Sequence, residues 1–329
     1  MSIKQTLLKT LAEAGNGYVS GAAIAEKLGV SRNAVWKTVK TLEADGFVIE
    51  SVTSKGYRLS DSSNRLSEEL IAPMLDTKVI GRHMAVCDEI DSTNTEAKRL
   101  TSAGAADGTA VIADKQTEGR GRMGRSFESP SGTGIYMSVI LRPDFGIECA
   151  PLITSAAACA VAEAVEKVCG CSVMIKWVND IYLNGRKICG ILTEASMGLE
   201  MKTLDHAVIG IGINVRSVKE SFGSELSRIA TSIEDETGKK ADRNKLCAAV
   251  LNELEHYLGM IEDRSFIDEY RKREMLTGNI ITANVGGNTI KGQAVGIDDN
   301  ANLIVKLPDG TVSKLSSGEA NLCRIAKQQ

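Results

Sequence analysis

The amino-acid sequence predicts an α+β multidomain protein, and three observations lead to that prediction. Residues 1–60 show helix-turn-helix periodicity followed by a hairpin, a long central region mixes helical patterns with apolar strands, and short β-prone runs follow Asn279. A chain of 329 residues is also too long for one ordinary domain. We therefore predict domains at residues 1–63, 64–276 and 277–329.

The first domain is predicted to contain three helices and a hairpin, or wing. After a first amphipathic helix, a second begins at the N-cap Ser20 and ends at Gly29, and Ser31 can cap a third directly afterwards. Alternating residues 47–52, a short turn and a strand at 57–59 predict the hairpin. This winged helix-turn-helix pattern is typical of DNA-binding modules.

The third helix is predicted to turn a polar, basic face outward. Its apolar residues share the opposite face, and residues 1–60 hold eight Lys or Arg against five Asp or Glu, a net charge of +3 that leaves −6 for the remainder. The alternative is a small helical packing domain whose polar face meets only water. The residues expected to face DNA are Ser31, Arg32, Asn33, Lys37, Lys40 and Thr41.

The pattern changes beyond residues 61–64, a polar stretch with the composition of a linker. Helices are predicted at 92–103, 150–168 and 243–262. Strands are predicted at 109–114, 135–141, 173–177, 188–194 and 206–213. Turn signals at 286–288, 298–300 and 308–310 separate about five further short strands, which suggests a small barrel at the C-terminus.

Composition restricts the class of protein. The eight cysteines are scattered, with neither zinc-site spacing nor disulfide-scaffold density, so reduced thiols in a cytoplasm fit best. The start of the chain lacks the pattern of a signal peptide, and the Ala-rich residues 150–165 fall short of the roughly 20 apolar residues that span a bilayer. We expect a cytoplasmic protein without a membrane partner.

The densest chemical motif is Gly-Arg-Gly-Arg-Met-Gly-Arg at residues 119–125. Such a loop can bring backbone N–H groups and guanidinium forks to phosphate or carboxylate oxygens, although a basic loop touching nucleic acid non-specifically is an alternative. Three further motifs lie at strand ends: Lys-Trp-Val-Asn-Asp at 176–180, Lys187 followed by Gly-Ile-Leu-Thr-Glu at 190–194, and Gly-Ile-Gly-Ile-Asn at 210–214. Taken singly, each also fits an ordinary turn or strand end.

Together with Asp-Ser-Thr-Asn at 91–94 and Gln116, these motifs resemble the biotin protein ligase family in its bifunctional form, with a winged helix-turn-helix in front. The resemblance covers nearly the whole chain, and the joint pattern is specific. It implies a class II synthetase-like catalytic domain and a C-terminal SH3-like barrel. It also implies that the carrier is the biotin carboxyl carrier protein of acetyl-CoA carboxylase or a similar protein, that the DNA is the biotin operator, and that the chain forms a homodimer on adenylate or DNA binding.

The resemblance also implies roles for individual residues. The implied biotin-binding residues are Ser92, Thr93, Asn94, Gln116, Gly119, Arg120, Arg122, Tyr136, Lys187, Gly190 and Gly210. The implied nucleotide-binding residues are Arg122, Arg125, Phe127, Lys176, Asn179, Asp180 and Asn214. The implied catalytic residues are Lys187, Arg122 and Asp180.

The implied reaction uses biotin and ATP to form biotinyl-5'-AMP and then transfers biotin to a carrier lysine. It needs cations and alignment rather than a protein nucleophile, and Mg²⁺ would arrive with ATP rather than at a dedicated protein site. The three histidines, at 83, 206 and 256, show no metal-ligand spacing.

The sequence departs from the family pattern at three positions. Met123 stands for an arginine, Val178 for the proline of the Lys-Trp-Pro-Asn-Asp motif, and Phe127 for a tryptophan near the adenine. One arginine fewer would weaken adenylate retention, a phenyl ring offers less stacking area than an indole, and Val178 would at most loosen a turn.

Three alternatives remain beside the bifunctional ligase. A ligand-sensing transcription factor without ligase activity would not need Lys187, Arg122 and Asp180. A lipoate ligase is not expected to carry the N-terminal module or the run at 119–125. An active ligase with a vestigial DNA-binding domain stays open on the sequence alone.

Overall fold

The computed structural model describes residues 2–60, 63–197 and 204–323. The helices in these ranges are α1 (Ile3–Glu13), α2 (Gly21–Leu28), α3 (Arg32–Ala44), α4 (Glu68–Ile71), α5 (Thr93–Ser102), α6 (Leu152–Cys169), α7 (Ile233–Thr237), α8 (Arg243–Leu258) and α9 (Ile267–Arg273). The strands are β1 (Ile49–Val52), β2 (Gly56–Leu59), β3 (Met84–Ile90), β4 (Ala110–Gln116), β5 (Gly134–Leu141), β6 (Met174–Lys176), β7 (Asp180–Leu183), β8 (Arg186–Met197), β9 (Leu204–Asn214), β10 (Ile280–Val285), β11 (Asn288–Ile297), β12 (Leu303–Lys306), β13 (Val312–Leu315) and β14 (Glu319–Leu322).

The N-terminal module has the predicted three helices and hairpin. The hydroxyls of Ser20 and Ser31 accept hydrogen bonds from backbone N–H groups in the first turns of α2 and α3, and Gly29 ends α2 in the left-handed conformation. Its core is apolar, with fully buried side chains such as Leu11 and Val35. The caps read from the sequence therefore define the helix boundaries.

The hairpin β1–β2 packs against the segment before α2. Tyr57 and Val19 exchange backbone hydrogen bonds of 2.9 and 2.8 Å, which fixes the wing to the helical part of the module. Gly56 has a φ of 109°, and a Cβ there would lie 2.1 Å from the carbonyl oxygen of Val19. Only glycine fits at this close approach.

The central domain is built on a seven-stranded sheet with the order β3-β4-β5-β9-β8-β7-β6. The β3–β4 pair is parallel and the other neighbours are antiparallel. Because strand side chains alternate, Val111 packs with α5 on one face, whereas its neighbour Ile112 belongs to the large core that contains α6 and α8. The predicted helices and strands of this domain are all present, and β3, β7 and the short helices α4, α7 and α9 are additional.

The C-terminal residues form the five predicted strands in one antiparallel sheet with the order β13-β12-β11-β10-β14. Gly286 and Gly287 both have positive φ and form the two-residue turn between β10 and β11. The sheet shares one continuous apolar core with the central domain, and the indole N–H of Trp177 donates to the carbonyl of Ala301 at 2.9 Å. This contact holds the five-stranded C-terminal sheet against the central domain.

Arg243 anchors the first residue of the central domain next to the N-terminal module. Its side chain is 2% exposed, and it donates to Asn64 Oδ1 (2.8 Å) and to the carbonyl of Gly134 (2.7 Å), while a terminal nitrogen lies 2.7 Å from Asp114. On the apolar side, Leu70 of α4 packs into the core of the N-terminal module. The predicted linker residues 61 and 62 lie outside the described residues, but Asn64 is firmly held.

No helix of the described residues is long and apolar enough to cross a membrane. All eight cysteines lie in the described ranges as free thiols, including the close pair Cys169 and Cys171.

Candidate active site

A cleft of about 920 Å³, including open space at its mouth, lies between the central sheet, the loop at 119–127 and the start of β14. Most of the residues predicted from the sequence line it, although they come from distant parts of the chain. The predicted residues on its wall are Ser92, Thr93, Asn94, Gln116, Arg120, Arg122, Arg125, Phe127, Lys176, Asn179, Asp180, Lys187, Gly190 and Gly210.

One end of the cleft is ordered by a chain of side-chain hydrogen bonds. The buried hydroxyl oxygen of Ser138 lies 2.8 Å from Thr93 Oγ1, and Thr93 donates its hydroxyl at 3.0 Å and its N–H at 2.8 Å to Gln116 Oε1. The other end of the Gln116 amide donates to Ser129 Oγ at 2.9 Å. The amide of Gln116 is therefore fixed in one orientation, as a specific polar pocket requires.

Asn94 is fixed in the same way. Its Oδ1 accepts from Ser138 at 2.6 Å, and its Nδ2 donates to Glu194 at 2.8 Å, which also binds Lys98 at 2.6 Å. Burial alone would raise the pKa of Glu194, but the hydrogen bonds from Lys98 and Asn94 hold it below the ordinary value. A Cβ on Gly210 would lie 2.1 Å from Asn94 Oδ1, so this strand needs glycine to admit the amide.

The glycine-rich loop folds back on itself. The N–H of Gly121 donates to the carbonyl of Arg125 at 2.7 Å, and the N–H of Phe127 donates to the carbonyl of Gly119 at 2.8 Å. At its tip, Met123 has a φ of 56° and a side chain that is 71% exposed. The loop thus places its arginines along the cleft, with the exposed Met123 at the mouth.

Four cations of the cleft are held by oxygen atoms. Lys187 Nζ lies 2.7 Å from Asp180 Oδ1, and Arg122 donates to Asn179 Oδ1 at 2.9 Å. Arg125 binds both carboxylate oxygens of Glu319. Lys176 donates to an amide oxygen of β14, Oδ1 of Asn321, at 2.6 Å. Each cation is thus positioned before any anion arrives.

The surroundings of the cleft shift the pKa values of two side chains. Burial lowers the pKa of Lys176 below the ordinary lysine value. The hydrogen bonds from Arg125 lower the pKa of Glu319, so that carboxylate is ionised at neutral pH.

Phe127 lies over the two glycine strands. A Cβ on Gly212 would be 2.5 Å from the phenyl ring, and one on Gly190 would be 3.4 Å from it. On its other side the ring meets Tyr136 edge to face, with centroids 6.4 Å apart. The glycines of β8 and β9 therefore make room for a flat aromatic surface.

Three predicted residues lie behind the cleft wall rather than on it. Gly119 lets two parts of the loop approach closely, because a Cβ there would lie 2.2 Å from the carbonyl of Phe127. The buried Tyr136 supports Phe127, and its hydroxyl lies 3.0 Å from the carbonyl of Pro130. The buried Asn214 donates to the carbonyl of Thr231 at 2.9 Å, and its own Oδ1 has no partner among the described residues.

The three positions that depart from the family pattern differ in their surroundings. Met123 is exposed at the tip of the loop, and Phe127 lies against the glycines of β8 and β9. The Trp177–Val178 peptide bond is cis, and the buried Tyr270 hydroxyl donates to the carbonyl of Val178 at 3.2 Å.

Several wall residues were not predicted. Gly212 was quoted within a motif but given no role, and its spacing of two from Gly210 was a usable signal. Gly318 and Glu319 reach the cleft from the third domain, and Ser138 supports it from within an apolar strand. No pattern in the sequence marks those three.

The predicted DNA-facing residues lie together on one surface of α3. Arg32, Asn33 and Lys37 are exposed, and Lys40 is exposed with its ammonium 2.6 Å from Glu43 on the same helix. Ser31 has its hydroxyl engaged as the N-cap of α3. The side of the helix that faces the module carries the buried residues Val35, Val39 and Leu42.

The chain matches three family models. Residues 86–214 match the biotin/lipoate A/B protein ligase family, residues 4–58 match a helix-turn-helix domain, and residues 277–322 match the biotin protein ligase C-terminal domain.

The similar proteins agree with these matches. The bifunctional ligase/repressor BirA of Bacillus subtilis is 37% identical, over 98% of this chain and 99% of that protein. The protein of the same name from Escherichia coli is 34% identical over 96% of each chain. A solved structure of the biotin protein ligase from Aquifex aeolicus in complex with biotin and ATP superposes with a TM-score of 0.62 at 29% identity, and the match covers 74% of this chain and 99% of that one.

Fold and cleft thus define a class of protein, a ligase-type catalytic domain between a helix-turn-helix module and a small C-terminal sheet. The chain belongs to the biotin protein ligase family, in its bifunctional ligase/repressor form.

Proposed function

We propose that this chain activates biotin with ATP, transfers it to a lysine of a biotin carboxyl carrier protein, and represses transcription in response to biotin. The observation that carries the ligase half is the cleft itself. It joins a rigid polar pocket, ordered by Thr93 and Gln116, to four fixed cations within one cleft.

The proposed reaction has two halves. In the first, an oxygen of the biotin carboxylate attacks the α-phosphorus of ATP, the bond to the β-phosphate oxygen breaks, and pyrophosphate leaves. In the second, the carrier lysine amine attacks the acyl carbon of biotinyl-5'-AMP, loses a proton, and releases AMP. Both halves depend on alignment and on neutralising charge at phosphate oxygens.

The contacts support a division of roles. Lys187, held by Asp180, is suited to the meeting point of carboxylate and α-phosphate because it is a cation fixed near Gly190, where a Cβ would lie 3.0 Å from its ammonium. Arg122, held by Asn179, is suited to close the loop over the adenylate. Phe127 offers a flat face for the adenine.

Mg²⁺ is proposed to arrive bound to the ATP phosphates. Among the described residues no group of three or more His, Cys, Asp or Glu side chains could hold a metal ion. Behind the cleft wall, the buried Asn214 Oδ1, which lacks a partner among those residues, is an oxygen that suits a magnesium-bound water.

One assay tests the ligase half. The protein is incubated with biotin, Mg·ATP and a biotin-accepting carrier domain, and pyrophosphate release and the mass of the carrier are followed, with lipoate in a parallel reaction. Pyrophosphate release with a biotin-sized mass increase is expected. Biotin binding without either signal would favour a ligand sensor, and a mass increase with lipoate alone would favour a lipoate ligase.

The repressor half is proposed to work through a homodimer on operator DNA. A single module of net charge +3 should bind DNA weakly at physiological salt, so two linked modules are needed. If the adenylate orders the loop at 119–125 and that loop contributes to the dimer interface, ligand and DNA binding are linked reciprocally.

A gel-shift assay tests this half, using DNA from upstream of the biotin-synthesis genes of the same genome at fixed salt, with and without biotin plus ATP. Tighter binding with the ligands is expected. Equal affinity in both conditions would refute the coupling, and no specific binding in either would leave a ligase with a vestigial DNA-binding domain.

The proposed domains of the chain are residues 1–63, 64–276 and 277–329.

A further inference from the structure

We propose that Trp36 reads thymine by packing its indole ring against a thymine methyl group in the major groove, which makes it a specificity-determining residue of α3. This inference rests on the proposed repressor function and extends it to one side chain.

The first observation is the exposure of Trp36. The chain has two Trp, six Tyr and five Phe, all within the described ranges, and Trp36 alone among them is exposed, at 49%. The other tryptophan, Trp177, is buried and donates its N–H to Ala301. Single exposed aliphatic side chains are ordinary on a protein surface. An indole, however, is a large apolar group that proteins normally bury or use at interfaces.

The second observation is the position of Trp36 on the helix. It follows Arg32 by four residues and precedes Lys40 by four, so the three side chains form one row along the outer surface of α3. Val35 and Val39, on the adjoining side of α3, turn towards the module and are buried. The indole therefore lies between Arg32 and Lys40 on the exposed side of the helix, beside the side chains expected to meet phosphates and base edges.

Charge decides which partner fits this surface. A second copy of the same face would bring Arg32, Lys37 and Lys40 against their own equivalents, which costs free energy. DNA offers the opposite charge. Within its major groove, the C5 methyl of thymine is the apolar group on a base edge, and apolar side chains recognise it by contact.

The contact should be worth one buried methyl group in each half-site, which corresponds to about fourfold in affinity. Since Trp36 is uncharged, its loss should leave the number of neutralised phosphates, and hence the salt dependence of binding, unchanged. These two properties separate a base-reading residue from a phosphate-binding one.

The test uses the full-length protein with biotin and Mg·ATP, and a duplex from upstream of the biotin-synthesis genes, trimmed by footprinting to the protected segment. Each thymine is replaced in turn by deoxyuridine, which removes only the methyl group. We expect the wild-type protein to lose about fourfold in affinity at one or two positions per half-site. The variant W36A should bind more weakly than the wild type, and deoxyuridine at those positions should reduce its affinity no further. The variant W36F should keep part of the wild-type sensitivity to deoxyuridine.

The control is K37A on the same helix, which should reduce the slope of log affinity against log salt by about one while keeping the deoxyuridine pattern. Thermal unfolding by circular dichroism checks that all three variants are folded. A deoxyuridine pattern that survives in W36A, or no thymine methyl that matters to the wild type, would overturn the inference. If the wild type binds no such duplex specifically, the repressor function itself fails and the inference falls with it.

Discussion

The protein carries two basic surfaces, and they hold their charged and aromatic groups differently. In the cleft, Lys187 and Arg122 are fixed by Asp180 and Asn179, and Phe127 is wedged over glycine strands. On α3, the side chains of Arg32 and Lys37 are exposed and have no hydrogen bond or ion pair with any described residue. Trp36 extends into solvent.

This difference matches two kinds of recognition. A cation that stabilises charge developing at one phosphorus atom acts best when it needs no reorganisation, and partners within the protein provide that. Side chains that read DNA meet groups whose positions vary along the groove, and freedom of rotation is compatible with that task. Changes in the cleft should therefore have large, specific effects, and changes at its margins smaller ones.

The largest effect should come from Lys187→Ala. The variant loses a fixed cation without emptying the apolar core, so pyrophosphate release should fall by about 10²- to 10³-fold with little change in unfolding temperature. Lys219→Ala is the matched control, because Lys219 also pairs with an aspartate, Asp235, but is far more exposed. Near-normal release by a folded Lys187→Ala protein would remove that lysine from the mechanism.

Arg122→Gly should loosen the cleft rather than stop the chemistry. The loop loses its hydrogen bond to Asn179 and gains backbone freedom, so biotinyl-5'-AMP should escape and label a bystander protein about tenfold faster. The assay follows biotin on a lysine-rich protein that is not an acceptor. Arg122→Lys, which keeps the charge without freeing the backbone, should label less. If the glycine variant labels no faster than the wild type, the loop does not retain the adenylate.

Gly212→Ala should disturb the aromatic face. The added methyl would lie 2.5 Å from the Phe127 ring, which must move, and we expect the KM for ATP to rise about fivefold with a smaller change in kcat. Gly223→Ala is the control, because a Cβ there meets nothing within 4 Å. Similar KM values for the two variants would show that the ring does not contact the nucleotide.

The smallest effect should come from Glu319→Gln at the edge of the cleft. Hydrogen bonds from Arg125 lower the pKa of Glu319, so the pair stabilises the fold above the ordinary glutamate pKa. That stabilisation is lost as pH falls through the lowered value. Because Arg125 is largely exposed, the variant should lose only about 0.5 kcal/mol of unfolding free energy at neutral pH. Urea unfolding at several pH values measures the difference in unfolding free energy between the wild type and the variant. This difference should shrink in acid. A difference that stays constant with pH would contradict a stabilising ion pair between Arg125 and Glu319.

Local signals in the sequence predicted much of the fold. Ser20, Ser31 and Gly29 mark helix ends because caps act through neighbouring backbone groups. By contrast, β3 and β7 were not predicted. β3 has no buried residue and so lacks a clear alternation, and β7 is only four residues long.

The site residues also divide into those that the sequence marked and those that it did not. The family resemblance pointed to residues such as Gln116 and Lys187, and the structure places both on the cleft wall. Glu319 and Ser138 could not be assigned from the sequence, because they reach the cleft through tertiary packing of strands far apart in the chain. Asn214 was expected at the nucleotide, but the structure shows its side chain behind the wall, where strand alternation alone could not reveal its depth.

The junction at Arg243 has a mechanical consequence. Asn64 is anchored by a buried guanidinium and Leu70 is embedded in the N-terminal core, so the module is not a tethered arm that can swing to find its site. In the proposed dimer, two chains with this stiff junction would hold their α3 helices at a fixed distance and a fixed angle to each other. Inserting one base pair between half-sites would displace them along the duplex and also rotate them about its axis, and a stiff junction would leave the protein little means to follow either change.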